Sequence, residues 1–379
     1  MVAQSPIRFT LPDDLSAHEP PEKRGLTRDG VRLLSTDRRE GRLIHGRFDR
    51  IADFLLPGDC LVFNASRTLP ACLAASVERL EAPSDGFEGR VERAAERYAG
   101  SGAGRRLQIR LARRWEDGAW SALALGGGGE PWGGDLSGCR LLFSGGGSAR
   151  FDLSAETIGR DPLVDRLWKI RFSLEGAQLM DALSGLGNPV RYWYADGPWD
   201  LDYYQTVYAR EPGSMEMPSA GRAFTWKLLL DLRSQGIDTA FLVLHAGLSS
   251  FMDQEYDAGH PASVEPFRLD APAAARINRA KARGGRIVAV GTTVVRALES
   301  IADAEGRVRE ARGSTCLRIT PGYHLKVVDG LLTGFHEPEA SHLDLLSAFL
   351  APEKLGRVYD EALKEKYLWH EFGDVNLIL

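Results

Sequence analysis

Short apolar runs that turn abruptly into helical spacing recur in the second half of the chain. Residues 287–290 are apolar and mostly β-branched, a pattern that predicts a buried strand. The sequence then turns at Gly291, Thr292 and Thr293, and its later apolar positions repeat at helical spacing. This stretch therefore predicts a strand, a sharp turn and a helix.

The same reasoning predicts other elements along the chain. Helices are expected at 48–54, 226–235, 272–283, 341–350 and 358–367, and strands at 31–36, 41–45, 60–63, 239–244 and 317–320. Thr225 precedes one helix as a candidate N-cap. The alternation of strands and helices predicts a layered α/β domain with a largely parallel sheet.

Residues 70–190 have a different pattern. Dense glycines separate short alternating runs, such as LQIRLARRW and WSALAL, which are typical of a small antiparallel barrel or sandwich. The α/β pattern resumes after this region. We therefore predict an α/β catalytic domain formed by residues 1–67 and 195–379, interrupted by an inserted antiparallel β-barrel domain at 68–194.

The charge of the chain is weakly acidic except in one segment. The 379 residues have a formal net charge of −5 and a pI near 6.0, which excludes a basic field over the whole molecule. Residues 90–114, however, hold eight arginines against two glutamates. This segment is interpreted either as a solvated charged face or as an RNA-contacting arm that uses Arg105, Arg106, Arg113 and Arg114.

The cysteines and the N-terminus indicate the compartment. The four cysteines are scattered without a C-x-x-C pair, which favours a reducing environment and no structural metal. The N-terminal residues lack the layout of a signal peptide, and no apolar run reaches membrane-spanning length. We therefore expect a cytoplasmic protein with no membrane association.

Three predicted strand ends have reactive side chains. Ligands of open α/β sheets bind beyond the carboxyl ends of the strands. His245 follows one strand, the turn at 291–293 follows a second, and a loop-rich run after Thr320 contains several histidines. A histidine at such a position is suited to proton transfer near neutral pH, although each one taken singly is also explained as a satisfied surface residue.

The turn at 291–293 is a candidate anion site. The first amides of a helix have no acceptor within it, and the helix dipole favours a carboxylate or phosphate there. Arg296 and Glu299 follow within the first turns and could add donors and an acceptor. The alternative is an ordinary strand–turn–helix with Thr292 as its N-cap. No GxGxxG, Walker, HExxH or GxSxG motif has a suitable context, which disfavours standard NAD, ATP, zinc-protease and serine-hydrolase functions.

Several segments together resemble one family, the S-adenosylmethionine:tRNA ribosyltransferase-isomerases of queuosine biosynthesis. In chain order they are LLPGDCLVFNASRTLPACL, YYQTVYAREPGS, PSAGRAFT, LVLHAGLSSF, IVAVGTTVVRALES, PGYHLKVVDGLLTGFHEP and FGDVNLIL. The resemblance implies transfer and isomerisation of the ribosyl part of S-adenosylmethionine onto 7-aminomethyl-7-deazaguanine in tRNA. The product would be epoxyqueuosine, with adenine and methionine released. It implies no cofactor besides this substrate, and a monomer.

The resemblance also implies site residues. The base that opens the reaction would be His245 or His336, with Glu265 as a further catalytic group. The methionine carboxylate would bind at Thr292, Thr293 and Arg296. The remaining substrate-binding candidates implied by the matching segments are Asn64, Arg67, Tyr204, Gln205, Arg210, Gly291, Glu299, Tyr323, Asp329 and Asp374.

The chain departs from the family pattern at several polar positions. Ala223 and Ser263 stand where the pattern has histidines, Gly334 stands where it has asparagine, and Glu337 begins a changed segment. Two alternatives therefore accompany the ribosyltransferase-isomerase hypothesis. One is a diverged paralogue that uses S-adenosylmethionine with another acceptor, and the other is a non-catalytic RNA-binding relative.

Overall fold

The chain forms two compact units. The computed structural model describes residues 7–79, 104–144, 152–192, 194–248, 264–338 and 340–379. The first unit comprises Met1–Thr68, Arg191–Ala246 and Pro261–Leu379, and the second comprises Leu69–Val190 and Gly247–His260. No helix in the described ranges has the length and apolar character needed to cross a membrane.

The strands and helices are numbered in chain order. The strands are β1 Arg32–Thr36, β2 Leu43–Arg47, β3 Cys60–Asn64, β4 Ser66–Thr68, β5 Cys72–Arg79, β6 Arg106–Arg114, β7 Trp120–Leu125, β8 Cys139–Phe143, β9 Leu153–Arg160, β10 Trp168–Phe172, β11 Glu211–Ser214, β12 Asp238–Leu244, β13 Glu265–Leu269, β14 Ile287–Val290, β15 Ala311–Thr315, β16 Gly330–Gly334 and β17 Val375–Ile378. The α-helices are α1 Gly176–Leu186, α2 Trp226–Ser234, α3 Ala271–Ala282, α4 Thr292–Ile301, α5 Ser341–Leu346 and α6 Pro352–Lys364. Short 3₁₀ helices occur at Asp13–Leu15, Pro21–Arg24, Phe48–Phe54, Leu201–Tyr204 and Ser219–Gly221.

The first unit is built on a mixed sheet. Its described strands have the order β15-β13-β12-β3-β14-β16-β17-β1-β2. The central neighbours β12, β3, β14 and β16 pair in parallel, as do β17 and β1, whereas the remaining neighbours are antiparallel. The parallel part expected from the sequence is therefore the centre of the sheet, and antiparallel pairs extend it on both sides. The C-terminal strand β17 lies between β16 and β1, so the chain end folds back into the sheet.

Helices cover both faces of this sheet. Alternate residues of each central strand enter two separate cores, so that Ala289 packs with α3, α4 and α6 while Val288 packs with α2 and the 48–54 helix. A strand buried on both faces has no polar side, which explains the continuous apolar runs at 60–63 and 287–290. The layered α/β fold predicted from the sequence is confirmed.

The second unit contains a closed antiparallel barrel of the order β10-β7-β6-β5-β8-β9 among the described strands. Every neighbouring pair is antiparallel, and β9 pairs with β10 to close it. Trp120, Phe143 and Trp168 are among its buried side chains. The inserted antiparallel β-barrel is thus confirmed.

Three local predictions differ from the structure. Residues 317–320 form no strand, and the strand of this region is β15, whose ARGST sequence is mostly exposed and so has no apolar signal. The N-cap of α4 is Gly291, not Thr292. The last two predicted helices are α5, which ends at Leu346, and α6, which begins with Pro352 at its first position. Thr225, in contrast, caps α2 by accepting a hydrogen bond from the Leu228 amide.

Candidate active site

The carboxyl ends of four strands of the first unit lie side by side. Because β12, β3, β14 and β16 are parallel neighbours, their last residues, Leu244, Asn64, Val290 and Gly334, share one edge of the sheet. We call it the carboxyl edge. Ligands of open α/β sheets bind beyond such an edge, so it is the candidate active site.

Asn64 connects two of these strand ends. Its Nδ2 donates to the Leu244 carbonyl at 2.8 Å, and its Oδ1 accepts from the amides of Leu244 at 3.0 Å and Ser66 at 3.1 Å. Nδ2 also lies 3.5 Å from Oγ1 of Thr293. The buried amide therefore ties the ends of β3 and β12 to the start of α4.

His245 directly follows β12 and is held by a neighbour from β4. Its Nδ1 lies 2.8 Å from Oγ of Ser66. A Cβ added at Gly213 would come within 2.6 Å of the imidazole, so only glycine leaves room for the ring there. The Ser66 hydroxyl and the bare backbone at Gly213 thus fix the orientation of the imidazole at the carboxyl edge.

The turn after β14 begins with a glycine in the left-handed region. Gly291 has φ of +98°, which favours glycine, and its amide donates to the Leu332 carbonyl at 2.8 Å. Thr292 and Thr293 follow as the first residues of α4 and are partly exposed. Amides at these helix positions have no acceptor in a preceding turn, so they offer donors to a ligand.

Arg296 is paired within the protein. Its Nη2 donates to Oε2 of Glu265, the first residue of β13, and both side chains are largely buried. Burial lowers the pKa of Arg296 to about 10. The pair places opposite charges together, so Nη2 of Arg296 is engaged by Glu265.

Two stacked histidines lie past the end of β16. The rings of His336 and His342 are parallel with centroids 4.4 Å apart, and Nε2 of His336 lies 2.9 Å from Oγ1 of Thr333. Burial, with smaller effects of His342 and His370, holds the pKa of His336 well below its usual range. Burial and the Arg296 charge lower the pKa of His342 to about 4. Both rings are therefore neutral at pH 7. In the described ranges, no three His, Cys, Asp or Glu side chains are grouped to hold a metal ion.

A cleft open to solvent adjoins the carboxyl edge near Gly334. Its lining includes Arg28, Arg222, Ala223, Gly334, Glu371 and Asp374. Arg222 is 2% exposed and donates to the Tyr203 carbonyl at 2.7 Å and to Glu22 at 2.9 Å. Asp374 accepts hydrogen bonds from the amides of Arg32 at 2.7 Å and Leu368 at 2.8 Å.

Glu371 also lines this cleft. Its Oε2 is buried and accepts no hydrogen bond from the described residues. Burial raises the pKa of this carboxyl to about 7. The preceding residue, His370, has φ of +72°, stacks on Tyr194 with ring centroids 3.9 Å apart, and places Nε2 3.2 Å from Oγ of Ser16. The strained residue is therefore held by contacts on its ring.

The arginines of the barrel differ in their environments. Arg105, Arg106 and Arg114 are exposed. Arg113 instead donates to both oxygens of the buried Asp161, at 3.2 and 2.9 Å. Arg113 thus has a structural role in the barrel, and the other three remain exposed on its surface.

Comparison with known proteins identifies the family of the chain. The profile of the queuosine biosynthesis protein family matches residues 4–378. The chain belongs to this family. The resemblance found in the sequence segments is therefore confirmed.

Relatives in this family match the chain over nearly their full length. The S-adenosylmethionine:tRNA ribosyltransferase-isomerase of Moorella thermoacetica is 36% identical over 374 residues, and that of Carboxydothermus hydrogenoformans is 35% identical over 374 residues. Each alignment spans 98% of this chain and 98% of the relative. The crystal structure of S-adenosylmethionine tRNA ribosyltransferase from Thermotoga maritima is 28% identical, with a TM-score of 0.52, and the match covers 99% of this chain and 100% of that one.

The structure brings part of the predicted site together. At the carboxyl edge of this family member lie the residues Asn64, His245, Glu265, Gly291, Thr292, Thr293, Arg296 and His336, and Asp374 lines the adjoining cleft. His336 reaches this edge because β16 lies within the run after Thr320. The predicted strand end at Thr320 is therefore wrong, and the strand that ends at this edge is β16.

Residues of the segment 204–210 support the backbone around β4. The Gln205 side chain accepts from the Thr68 amide at 3.1 Å and donates to the Thr68 carbonyl at 2.8 Å. Tyr204 is buried, whereas Arg67 and Arg210 are exposed. Gln205 therefore acts as a side-chain partner of β4, and its expected contact with substrate stays a prediction.

Three predicted substrate-binding residues lie away from the carboxyl edge. Asp329 precedes β16 and accepts from the amide of Ile287, the first residue of β14, at 2.9 Å, which places it at the opposite edge of the sheet. Glu299 is near the end of α4 and accepts from the amides of residues 326–328. Tyr323 interacts with Glu299. These groups stabilise the loop before β16. They lie away from the carboxyl edge because α4 starts at that edge and ends near the opposite one.

Two departures from the family pattern, Ala223 and Gly334, line the cleft. Ser263 lies outside the described residues. Sequence reasoning missed Ser66, Arg222 and Glu371, which belong to the edge and the cleft. The Ser66 position, two residues after Asn64, was the one local signal, whereas the surroundings of Arg222 and Glu371 are set by tertiary packing.

Proposed function

We propose that this chain transfers the ribosyl moiety of S-adenosylmethionine to 7-aminomethyl-7-deazaguanine in tRNA and isomerises it to give epoxyqueuosine, with adenine and methionine released. The observation that carries this proposal is the full-length match to relatives named S-adenosylmethionine:tRNA ribosyltransferase-isomerase. The arrangement of the carboxyl edge supports it, and tRNA as substrate implies a cytoplasmic location.

The amino-acid end of S-adenosylmethionine binds at the start of α4. The amides of Thr292 and Thr293 lie at the positive end of the helix dipole and donate to the carboxylate. Gly291, with its left-handed φ and no side chain, lets the ligand approach the backbone closely. Arg296 contributes through its ion pair with Glu265, which keeps the first turns of α4 in place.

His245 is the base that removes the C5′ proton of the ribosyl group. The adjacent sulfonium makes this hydrogen acidic, and an imidazole is a suitable proton acceptor near neutral pH. Ser66 holds the imidazole in one orientation. Less conformational entropy is therefore lost when the base reaches its reactive geometry. His336 is the alternative base. Its buried ring, whose Nε2 is engaged by Thr333, better suits a neutral positioning group.

The barrel supports RNA binding. Arg105 lies over the ring of Trp132 at 5.1 Å and Arg114 over that of Trp120 at 5.8 Å, and both guanidinium groups are on exposed residues. Positive groups of this kind contact phosphates without reading sequence, while the wobble base enters a pocket elsewhere.

The test is release of adenine by the purified protein. It is incubated with S-adenosylmethionine and tRNA bearing 7-aminomethyl-7-deazaguanine, and adenine and modified tRNA are followed by chromatography and mass spectrometry. We expect equal amounts of adenine and epoxyqueuosine-bearing tRNA. Adenine release with a small acceptor alone would instead support a paralogue with another acceptor. Binding of tRNA without turnover would support a non-catalytic relative.

A further inference from the structure

Glu371 is an unusual group in the cleft of the first unit. The residue lines the cleft, and its carboxylate oxygen Oε2 is buried and has no hydrogen-bond donor among the described residues. A buried carboxylate oxygen without a donor is costly, and proteins rarely keep one without a reason. The preceding residue, His370, has the strained φ of +72°, and such strain is concentrated at functional sites.

The neighbouring cations do not satisfy Glu371. Arg222 donates to Glu22 and to the Tyr203 carbonyl, and Arg28 donates to Glu22 at 3.3 Å and to the Gln205 carbonyl at 2.9 Å. Both guanidinium groups of the cleft are thus engaged by other acceptors. None of the residues that the structure describes donates to Oε2 of Glu371, which leaves a positive partner to be supplied by a ligand.

Asp374 is the other carboxylate in the lining of the cleft, and it differs from Glu371 in its hydrogen bonds. Asp374 accepts two backbone amide hydrogen bonds, one on each oxygen. It therefore needs no ligand. Glu371, in contrast, has one oxygen, Oε2, that accepts no hydrogen bond from the described residues, and it lies in the same cleft as Gly334 at the end of β16.

The cleft adjoins the proposed methionine site. Ala220, which lines the cleft, has its Cβ 3.5 Å from where a Cβ of Gly291 would lie. A ligand whose carboxylate binds at Thr292 and Thr293 can therefore extend toward the cleft.

We infer that Glu371 binds the primary ammonium group of a substrate in this cleft. An ammonium supplies the missing charge and up to three donors. The inference rests on the proposed function, in which two substrates have such a group. One is the amino-acid end of S-adenosylmethionine, and the other is the aminomethyl group of the acceptor base. A carboxyl pKa near 7 is consistent with a site that is protonated when empty and ionised when the ammonium is bound.

Two binding measurements distinguish these sources. The variants are Glu371→Gln, which keeps the shape and removes the charge, and Glu371→Asp, which keeps the charge and withdraws it from the cleft. Glu353→Gln is the matched control, because Glu353 is exposed on α6. Because the carboxyl of Glu371 is buried and no described residue donates to its Oε2, the Gln variant is expected to melt at or above the wild-type temperature.

The first measurement is calorimetric binding of S-adenosylmethionine and of its analogue that lacks the α-amino group. If Glu371 binds the methionine ammonium, both Glu371 variants bind S-adenosylmethionine at least tenfold more weakly. The deaminated analogue then binds the wild type and the variants equally. The control variant behaves as the wild type.

The second measurement is binding of anticodon stem-loops with 7-aminomethyl-7-deazaguanine or guanine at the wobble position. If Glu371 binds the acceptor, the wild type prefers the aminomethyl RNA at least tenfold and the variants lose this preference.

Unchanged binding in both measurements, with wild-type protein that still releases adenine, would overturn the inference and leave the proposed function standing. If the wild-type protein releases no adenine and binds neither S-adenosylmethionine nor the stem-loop RNA, both the inference and the proposed function are overturned.

Discussion

Nδ1 of His245 lies 2.8 Å from Oγ of Ser66, and this contact joins the residue after β12 to the first residue of β4. The two residues are 179 positions apart in the chain. Because the serine comes from a neighbouring strand end, the orientation of the imidazole depends on the assembled sheet.

Replacing His245 by Ala should lower the rate of adenine release by about 100-fold or more, the usual contribution of a positioned general base. Ser66→Ala should cause a smaller loss in kcat with little change in KM, because the base remains but its orientation is less fixed. Steady-state kinetics and calorimetric binding of S-adenosylmethionine check both. His324→Ala, at an exposed position, is the control. Full activity of the His245 variant would assign the base elsewhere.

Arg296→Leu should lower the free energy of unfolding by about 3–5 kcal/mol, because it leaves the carboxylate of Glu265 buried without its partner. The double variant Arg296→Leu with Glu265→Leu should recover much of that loss, since no charge remains buried. Urea denaturation of the wild type, both single variants and the double variant measures the coupling. Strictly additive effects would show that the pair is not coupled.

The barrel arginines should separate into two classes. The triple variant of Arg105, Arg106 and Arg114 to Ala should weaken tRNA binding and reduce its dependence on salt, because fewer phosphate contacts remain. Its melting temperature should stay close to that of the wild type.

Arg113→Ala should instead destabilise the protein, since Asp161 has no exposed side-chain surface. Burial acts to raise the pKa of Asp161, but the hydrogen bonds from Ser121 and Leu163 and the Arg113 charge outweigh it and lower that pKa. Electrophoretic binding assays over a salt series, paired with thermal unfolding, check both classes. Unchanged tRNA binding by the triple variant would show that these arginines are only a solvated charged surface and do not bind RNA.

Acid should destabilise the first unit before the carboxylates titrate. His342 has a folded-state pKa of about 4, against 6.5 without burial, and faces His336 and Arg296. Between these values the unfolded chain binds a proton that the folded chain does not. The stability is therefore fully present above pH 6.5 and is lost as the pH falls toward 4. His342→Gln, which does not titrate, should flatten this part of the melting-temperature profile. An identical pH profile would rule out His342 as a contributor.

Parts of this molecule are readable from local pattern alone. Ile287–Val290 is buried on both faces, so its continuous apolar run identified the strand from the sequence. Thr225 caps α2 through a contact with the amide three residues later, which is a local signal as well. The barrel was visible because its strands alternate between glycine turns. Ala311–Thr315 was not visible, because an exposed edge strand of polar residues has no hydrophobic period.

The sequence by itself determined the elements, the inserted barrel and the family, since these depend on neighbours within a few residues or on motifs kept in order. Only the tertiary structure decided which polar groups are available to a ligand. It paired Arg296 with Glu265, assigned Glu299 to the loop before β16, and left Oε2 of Glu371 without a donor among the described residues. The physical reason is that hydrogen-bond partners and burial come from residues distant in the chain, and they determine the charge and the reach of each side chain.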